Sequence, residues 1–135
     1  MMPTLTRGLL ALAAVLIAIA TALGAIASHA LDGTLDSDAL AAFETAVRYQ
    51  FVHALGLAIV AVHAERQPPS KLLSLVAGLL VIGLLFFCGG VYTSSLGGPG
   101  WLAGLAPAGG MALIAAWLLF AVSVCIAQAT GRARD

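Results

Sequence analysis

Charge is what this chain has least of. Of its 135 residues, six are Lys or Arg and six are Asp or Glu, and the formal net charge is zero. That balance removes the electrostatic footprint that nucleic acid or an acidic soluble partner requires. Two cysteines, Cys88 and Cys125, are too few for a disulfide framework, and neither a CxxC pair nor an HExxH pattern occurs. The usual marks of a zinc site are therefore missing, and no metal or cofactor is expected. No low-complexity tract or polar run long enough for a soluble module interrupts the chain. What is left is apolar: 61% hydrophobic residues and a mean hydropathy of +1.06, outside the soluble globular range.

A bilayer core about 30 Å thick needs about 20 helical residues to cross it. Gly8 to Ser28 is uncharged apart from its flanks and long enough for a first span. From Leu72 to Gly131 no charged residue occurs, and Gly97-Gly98-Pro99-Gly100 divides that stretch, because Gly and Pro in succession end a helix. The third and fourth spans are thus expected at about Leu72 to Leu96 and Trp101 to Ala127. The second is the informative one. Its uncharged run from Tyr49 to Val62 would rise only about 21 Å, so the helix must begin near Ala41 and run to His63. It then carries Glu44, Arg48, Tyr49, Gln50 and His53 into the membrane. Short links predict an all-α integral membrane fold, an antiparallel up-down-up-down four-helix transmembrane bundle spanning residues 1–135 as a single domain.

Met1 to Ala30 also has features of a secretory signal: Arg7, an apolar run, and Ser28-His29-Ala30 as a small-x-small pattern. The run of about twenty residues exceeds the usual 7–15, which favours its retention as a span. Arg7, Arg66, Lys71, Arg132 and Arg134 fall on one side of the proposed bundle, while the other side carries Asp32, Asp36 and Asp38. The positive-inside bias predicts both termini in the cytoplasm. Trp101 and Trp117, about 24 Å apart along a helix, suit an aromatic belt at each interface.

Sorted by depth, the polar residues gather in the outer half: Ser28 and His29, then Glu44 to His53, then Cys88 and Tyr92 to Ser95. The inner halves are nearly all aliphatic. This one-sidedness predicts a small polar pocket opening outward, with His29, Glu44, Arg48, Tyr49, Gln50, His53 and Tyr92 as its candidate residues. Ionisable groups in lipid are costly unless paired and so mark function by default. Glu44 and Arg48 stand i, i+4, the favourable order for an ion pair. Tyr49 and His53 repeat that spacing about 140° further round the helix. The pair is expected to turn toward His29 or the Tyr92–Ser95 segment, with His53 facing another helix.

Each residue also has a plainer role. Glu44–Arg48 serves as a structural pair whose desolvation offsets its attraction. His53 serves as a hydrogen-bonded bundle residue, His29 as an interfacial one, and His63 as a solvated side chain beside Glu65 and Arg66. His29 and His53 differ in depth by about 15 Å, too much for shared ligation of haem or metal. Cys88 and Cys125 would lie about 20 Å apart, beyond disulfide reach, and read as small packing residues. Ala20, Gly24 and Ser28 at four-residue spacing allow close helix approach.

Four segments resemble one family. Gly24-Ala25-Ile26-Ala27-Ser28-His29-Ala30-Leu31 is similar to a first-helix motif usually written GAFGAHAL. The run Phe43 to Leu55, FETAVRYQFVHAL, resembles the family's central signature almost residue for residue. Phe87 to Tyr92 is similar to FSGSLY, and Leu105 to Gly110 to a TPxGG motif. The family is the bacterial membrane proteins of domain of unknown function 423, related to eukaryotic transmembrane protein 256. The resemblance implies a four-helix protein of the bacterial inner membrane. By position, His29, Glu44, Arg48, Tyr49, Gln50, His53, Tyr92 and Pro107 match motif residues. Ala27 and Ser28 replace Gly and Ala, and Cys88 and Gly90 replace two serines.

With no catalytic constellation and little mass outside the membrane, the expected function is non-enzymatic. An accessory subunit of a membrane complex, or a protein supporting envelope integrity, comes first. The alternative is a binder or transporter of a small amphiphile such as a quinone or lipid in the polar pocket. A His53 general base comes third, since neither nucleophile nor metal site accompanies it. The expected partners are the bilayer and a larger complex or further copies of the chain, with no nucleic acid.

Overall fold

The computed structural model describes residues 4–132. Arg134, counted above among the basic residues, and the first three residues of the Met1–Ala30 stretch lie outside that range. The described residues form helices and turns, with no strand among them. Helix α1 covers Thr4–Ile26 and runs into a wider π-helical turn, Ala27–Leu31. Then come α2 (Ser37–Glu65), α3 (Lys71–Ser95), a single turn α4 (Gly100–Ala103) and α5 (Ala106–Arg132). Four segments, Thr4–Leu31, Ser37–Glu65, Lys71–Ser95 and Gly100–Ile126, are long and apolar enough to cross a bilayer. The expected four-helix architecture is the one observed.

The ends follow local chemistry. Helix α2 starts four residues before the expected Ala41 because Asp36 caps it: the carboxylate accepts from the amides of Asp38 (3.1 Å) and Ala39 (2.9 Å). Ser70 caps α3 in the same way through the Leu73 amide. Helix α3 stops in a Schellman turn, with Gly97 at φ 73° and the Gly98 and Gly97 amides donating to the carbonyls of Thr93 and Ser94. The last span is broken rather than continuous. Residues 104 and 105 separate α4 from α5, and Pro107 sits in the first turn of α5, where its missing amide costs nothing.

Helix α1 packs on α2, α2 on α3, and α3 on α5. The end bearing Arg66 and Lys71 is called inner below, and the end bearing Asp32, Asp36 and Asp38 outer. On α1 the buried residues are Thr6, Ala13, Ala20 and, in the π-helical turn, Ala27, a seven-residue seam of small side chains. Ser28, expected on the small-residue face, turns outward and donates to its own helix at Gly24. Helices α3 and α5 meet backbone to backbone: a Cβ at Gly109 would run into Phe86 and Phe87, and one at Gly83 into the Leu113 side chain at 2.7 Å. The main core is Leu57, Val60, Val76, Leu80, Leu84 and Leu113, with Phe43 and Val47 in a second cluster at the outer end.

Candidate functional site

Successive residues of α2 rotate by about 100°, and its buried residues fall on one arc: Phe43, Ala46, Val47, Gln50, His53, Ala54, Leu57, Val60 and Ala61. Glu44 and Arg48 therefore lie on the far side. Their side chains are 47% and 70% exposed, and the pair is loose at 3.8 Å, with Arg48 Nε donating to the Glu44 carbonyl at 3.4 Å. This corrects the expectation that the pair turns toward His29 or Tyr92–Ser95. The bulk of Phe43 and Val47 takes the inward positions, so the charges face off the bundle. The i, i+4 pairing itself is present.

Gln50 faces the opposite way, into the junction of three helices. Its amide nitrogen donates to the Leu16 carbonyl of α1 at 2.8 Å, and its oxygen accepts from the Tyr92 hydroxyl of α3 at 2.9 Å. Tyr92 in turn lies against Phe43, ring centroids 4.8 Å apart. One turn of α3 below, the Cys88 thiol donates to the Ala46 carbonyl at 3.5 Å. Both ends of the Gln50 amide are used within the protein.

His53 opens on a third environment. It is 8% exposed, and its Nδ1 lies 2.7 Å from the Tyr49 carbonyl of its own helix. Its ring stacks on Tyr49 (5.5 Å) and tilts toward Trp117 of α5 (6.1 Å), while Tyr49 meets Phe87 of α3 at 4.8 Å. His53 thus faces another helix, as expected. Between α2 and α5, with Phe87 beneath, runs a groove of about 520 Å³. Arg48, Tyr49, Val52, His53, Ile114 and Trp117 are among its lining residues. It lies along the side of the bundle, where an embedded protein meets lipid.

The seven candidate residues therefore do not share one outward pocket. Arg48, Tyr49 and His53 line the groove, Glu44 lies beside Arg48, Gln50 and Tyr92 belong to the closed junction, and His29 is exposed on the π-helical turn. The reason is rotational: the polar residues share a depth but not a face. Trp117, read from its spacing as an interfacial residue, packs over Gly56, where a Cβ would come within 2.5 Å of its ring, and lines the inner end of the groove. The spacing from Trp101 concealed this, and Gly56 was the one available signal. His63 is half-buried rather than solvated, edge-on to Phe120 at 5.4 Å. Of the two thiols Cys88 is buried, whereas Cys125 is exposed and not a core packing residue.

Residues 23–110 match the family described as "Protein of unknown function (DUF423)". The chain is 31% identical over 105 residues to the UPF0382 membrane protein YwdK of Bacillus subtilis, covering 78% of this chain and 85% of that protein. It is 35% identical over 100 residues to the UPF0382 membrane protein SH2409 of Staphylococcus haemolyticus, covering 74% and 80%. A UPF0382 membrane protein of Haemophilus influenzae is 32% identical over 100 residues, covering 74% and 79%. No solved structure matches the chain. The matched segment contains α2 whole and every residue of the groove down to Gly110.

Proposed function

The chain belongs to the DUF423 family of small multi-pass membrane proteins, and we propose that it acts by binding a small amphiphile rather than by catalysis. The groove between α2 and α5 is the site, and its occupant arrives from the bilayer. One observation carries this reading: Arg48, Tyr49 and His53 line a lateral groove whose other walls are apolar and aromatic. A few convergent polar groups in an otherwise apolar cleft of a few hundred Å³ are the ordinary form of a small-molecule site. The protein sits in the bacterial inner membrane with both termini cytoplasmic, supported by Arg66 and Lys71 at one end and three aspartates at the other.

Mass spectrometry of the intact protein, extracted gently from its own membrane, tests the reading. A stoichiometric extra mass is expected. Arg48→Ala is expected to lose that mass while its four helices persist, since the Arg48 side chain packs into no core. A bare protein would overturn the proposal, and so would the disappearance of Arg48→Ala from the membrane, which would make Arg48 structural.

A second reading, an accessory subunit of a membrane complex or a support for the envelope, is favoured by Glu44–Arg48. A charged pair aimed off the bundle within a spanning helix is a place where another helix can dock. In that case the same extraction yields a second protein instead of a small mass.

A further inference from the structure

Resting on the reading of the groove as an amphiphile site, we infer that its preferred occupant is a quinol, with one ring hydroxyl donating to His53 Nε2 and the ring held among Tyr49, Phe87 and Trp117. Three observations lead there.

The first is hydrogen-bond sense. A carbonyl only accepts, so the 2.7 Å contact with the Tyr49 carbonyl places the hydrogen on His53 Nδ1. In the neutral ring Nε2 is then an acceptor, and no described residue bonds to it. His53 is more than nine-tenths buried, yet Nε2 is not sealed among the buried atoms lacking a partner. An unused acceptor on a nearly buried ring in the groove wall calls for a donor. Phosphate, carboxylate and ester groups bring acceptors, as does the carbonyl of an oxidised quinone, and the ammonium and hydroxyl donors of phospholipid heads stay with the phosphate at the interface. A quinol brings O–H on an uncharged ring.

The second is depth. Counting from His63 beside the inner charges, a 30 Å core reaches about Phe43 on α2. His53 then lies about 15 Å from either edge, at mid-bilayer, and Arg48 about 8 Å below the outer edge. A phospholipid phosphate stays at the interface. A small uncharged ring with two hydroxyls can sit at this level.

The third is shape. Tyr49, Phe87 and Trp117 offer flat aromatic surfaces at the height of His53, and Val52, Leu113 and Ile114 offer an aliphatic track for a tail. Arg48, held only loosely by Glu44, keeps N–H donors for the second ring oxygen at the outer end. Binding alone is inferred, and no bond is made or broken.

The test uses the full chain in phospholipid vesicles, with Trp101→Phe so that Trp117 is the sole tryptophan emitter. Decylubiquinol and its oxidised form, decylubiquinone, are titrated anaerobically. The expected result is a saturable change in Trp117 emission, with the quinol binding about tenfold more tightly, the worth of one good hydrogen bond. His53→Phe keeps an aromatic ring without the acceptor and is expected to erase the preference, leaving both forms at the quinone's affinity. Equal binding of the two forms by the wild-type groove overturns the quinol assignment, as does a preference that survives His53→Phe. If neither probe saturates while the extracted protein carries phospholipid, the head group is wrong and the amphiphile reading stands. If neither saturates and no small mass is carried, both fail. Should His53→Phe not fold, the wild-type ratio decides alone.

Discussion

Gln50 and His53 stand three residues apart on α2, about 60° round its axis, and both are more than nine-tenths buried. They differ in what they do with their hydrogen bonds. Gln50 uses one end on Leu16 and the other on Tyr92, so three helices are tied by one side chain. His53 bonds only to the carbonyl four residues back on its own helix and turns the rest of its ring to a groove. In a membrane every buried polar group is expensive, so burial marks both residues equally. Their partners separate them: Gln50 ties α2 to α1 and α3, whereas His53 bonds only within α2 and lines the groove that we propose as a binding site.

The sharpest way to break this contrast is to remove the groove and ask whether the Gln50 junction survives. Helix α5 approaches α3 so closely at Gly109 that any Cβ there meets the backbone of Phe86 and Phe87. Gly109→Leu should force the two helices apart and cost about 3 kcal/mol or more, at the upper end of overpacking effects. Thermal unfolding in detergent measures the loss, and amide exchange locates it. Slow exchange should persist in α1 and α2 while α5 exchanges rapidly. If all helices lose protection together, the two regions are one cooperative unit and the contrast has no energetic basis.

The residue pattern showed the four spans and the Gly-Pro break clearly, because hydropathy and helix breakers act along the chain. It showed the faces poorly. In a soluble bundle the core side is apolar and the outer side polar, whereas here lipid and core both accept Leu, Val and Ala. Glu44 and Arg48 could thus be assigned to the interior although they point away from it. The early start of α2 is set by the Asp36 cap, a polar signal that hydropathy does not register because it counts only apolar residues. The Thr6–Ala13–Ala20–Ala27 seam was hidden among neighbouring alanines. The rotational separation of Gln50 from His53 was computable from their spacing, but the partners that make one a tie and the other a wall residue lie on distant helices.

A smaller effect sharpens the contrast directly. Gln50→Leu removes the link between α1 and α3 and leaves the Tyr92 hydroxyl without its acceptor, which should cost about 2 kcal/mol. His53→Phe loses only a bond within its own helix and should cost less than about 1 kcal/mol. Unfolding midpoints of the two variants in one detergent compare them. Equal losses would mean that His53 is as much a structural tie as Gln50.

The smallest expected change falls at the groove's inner end. The Trp117 ring covers Gly56, and a methyl group there would meet the far edge of that ring at 2.5 Å. The edge of a side chain can move where a backbone cannot, so Gly56→Ala should shift Trp117 while α2 stays in place. The helix propensity gained over glycine, up to about 1 kcal/mol, roughly offsets the displaced contact, and net stability should hardly change. The groove, however, should respond. In a Trp101→Phe background the emission of Trp117 should move and occupancy of the groove should fall, while the Gln50 junction on the other side of α2 keeps its protection. A variant with unchanged emission would show that the ring has no freedom at this position. A variant that instead unfolds would show that Trp117 is wedged between α2 and α5 as firmly as Gln50 ties α1 to α3, and the groove would then be core.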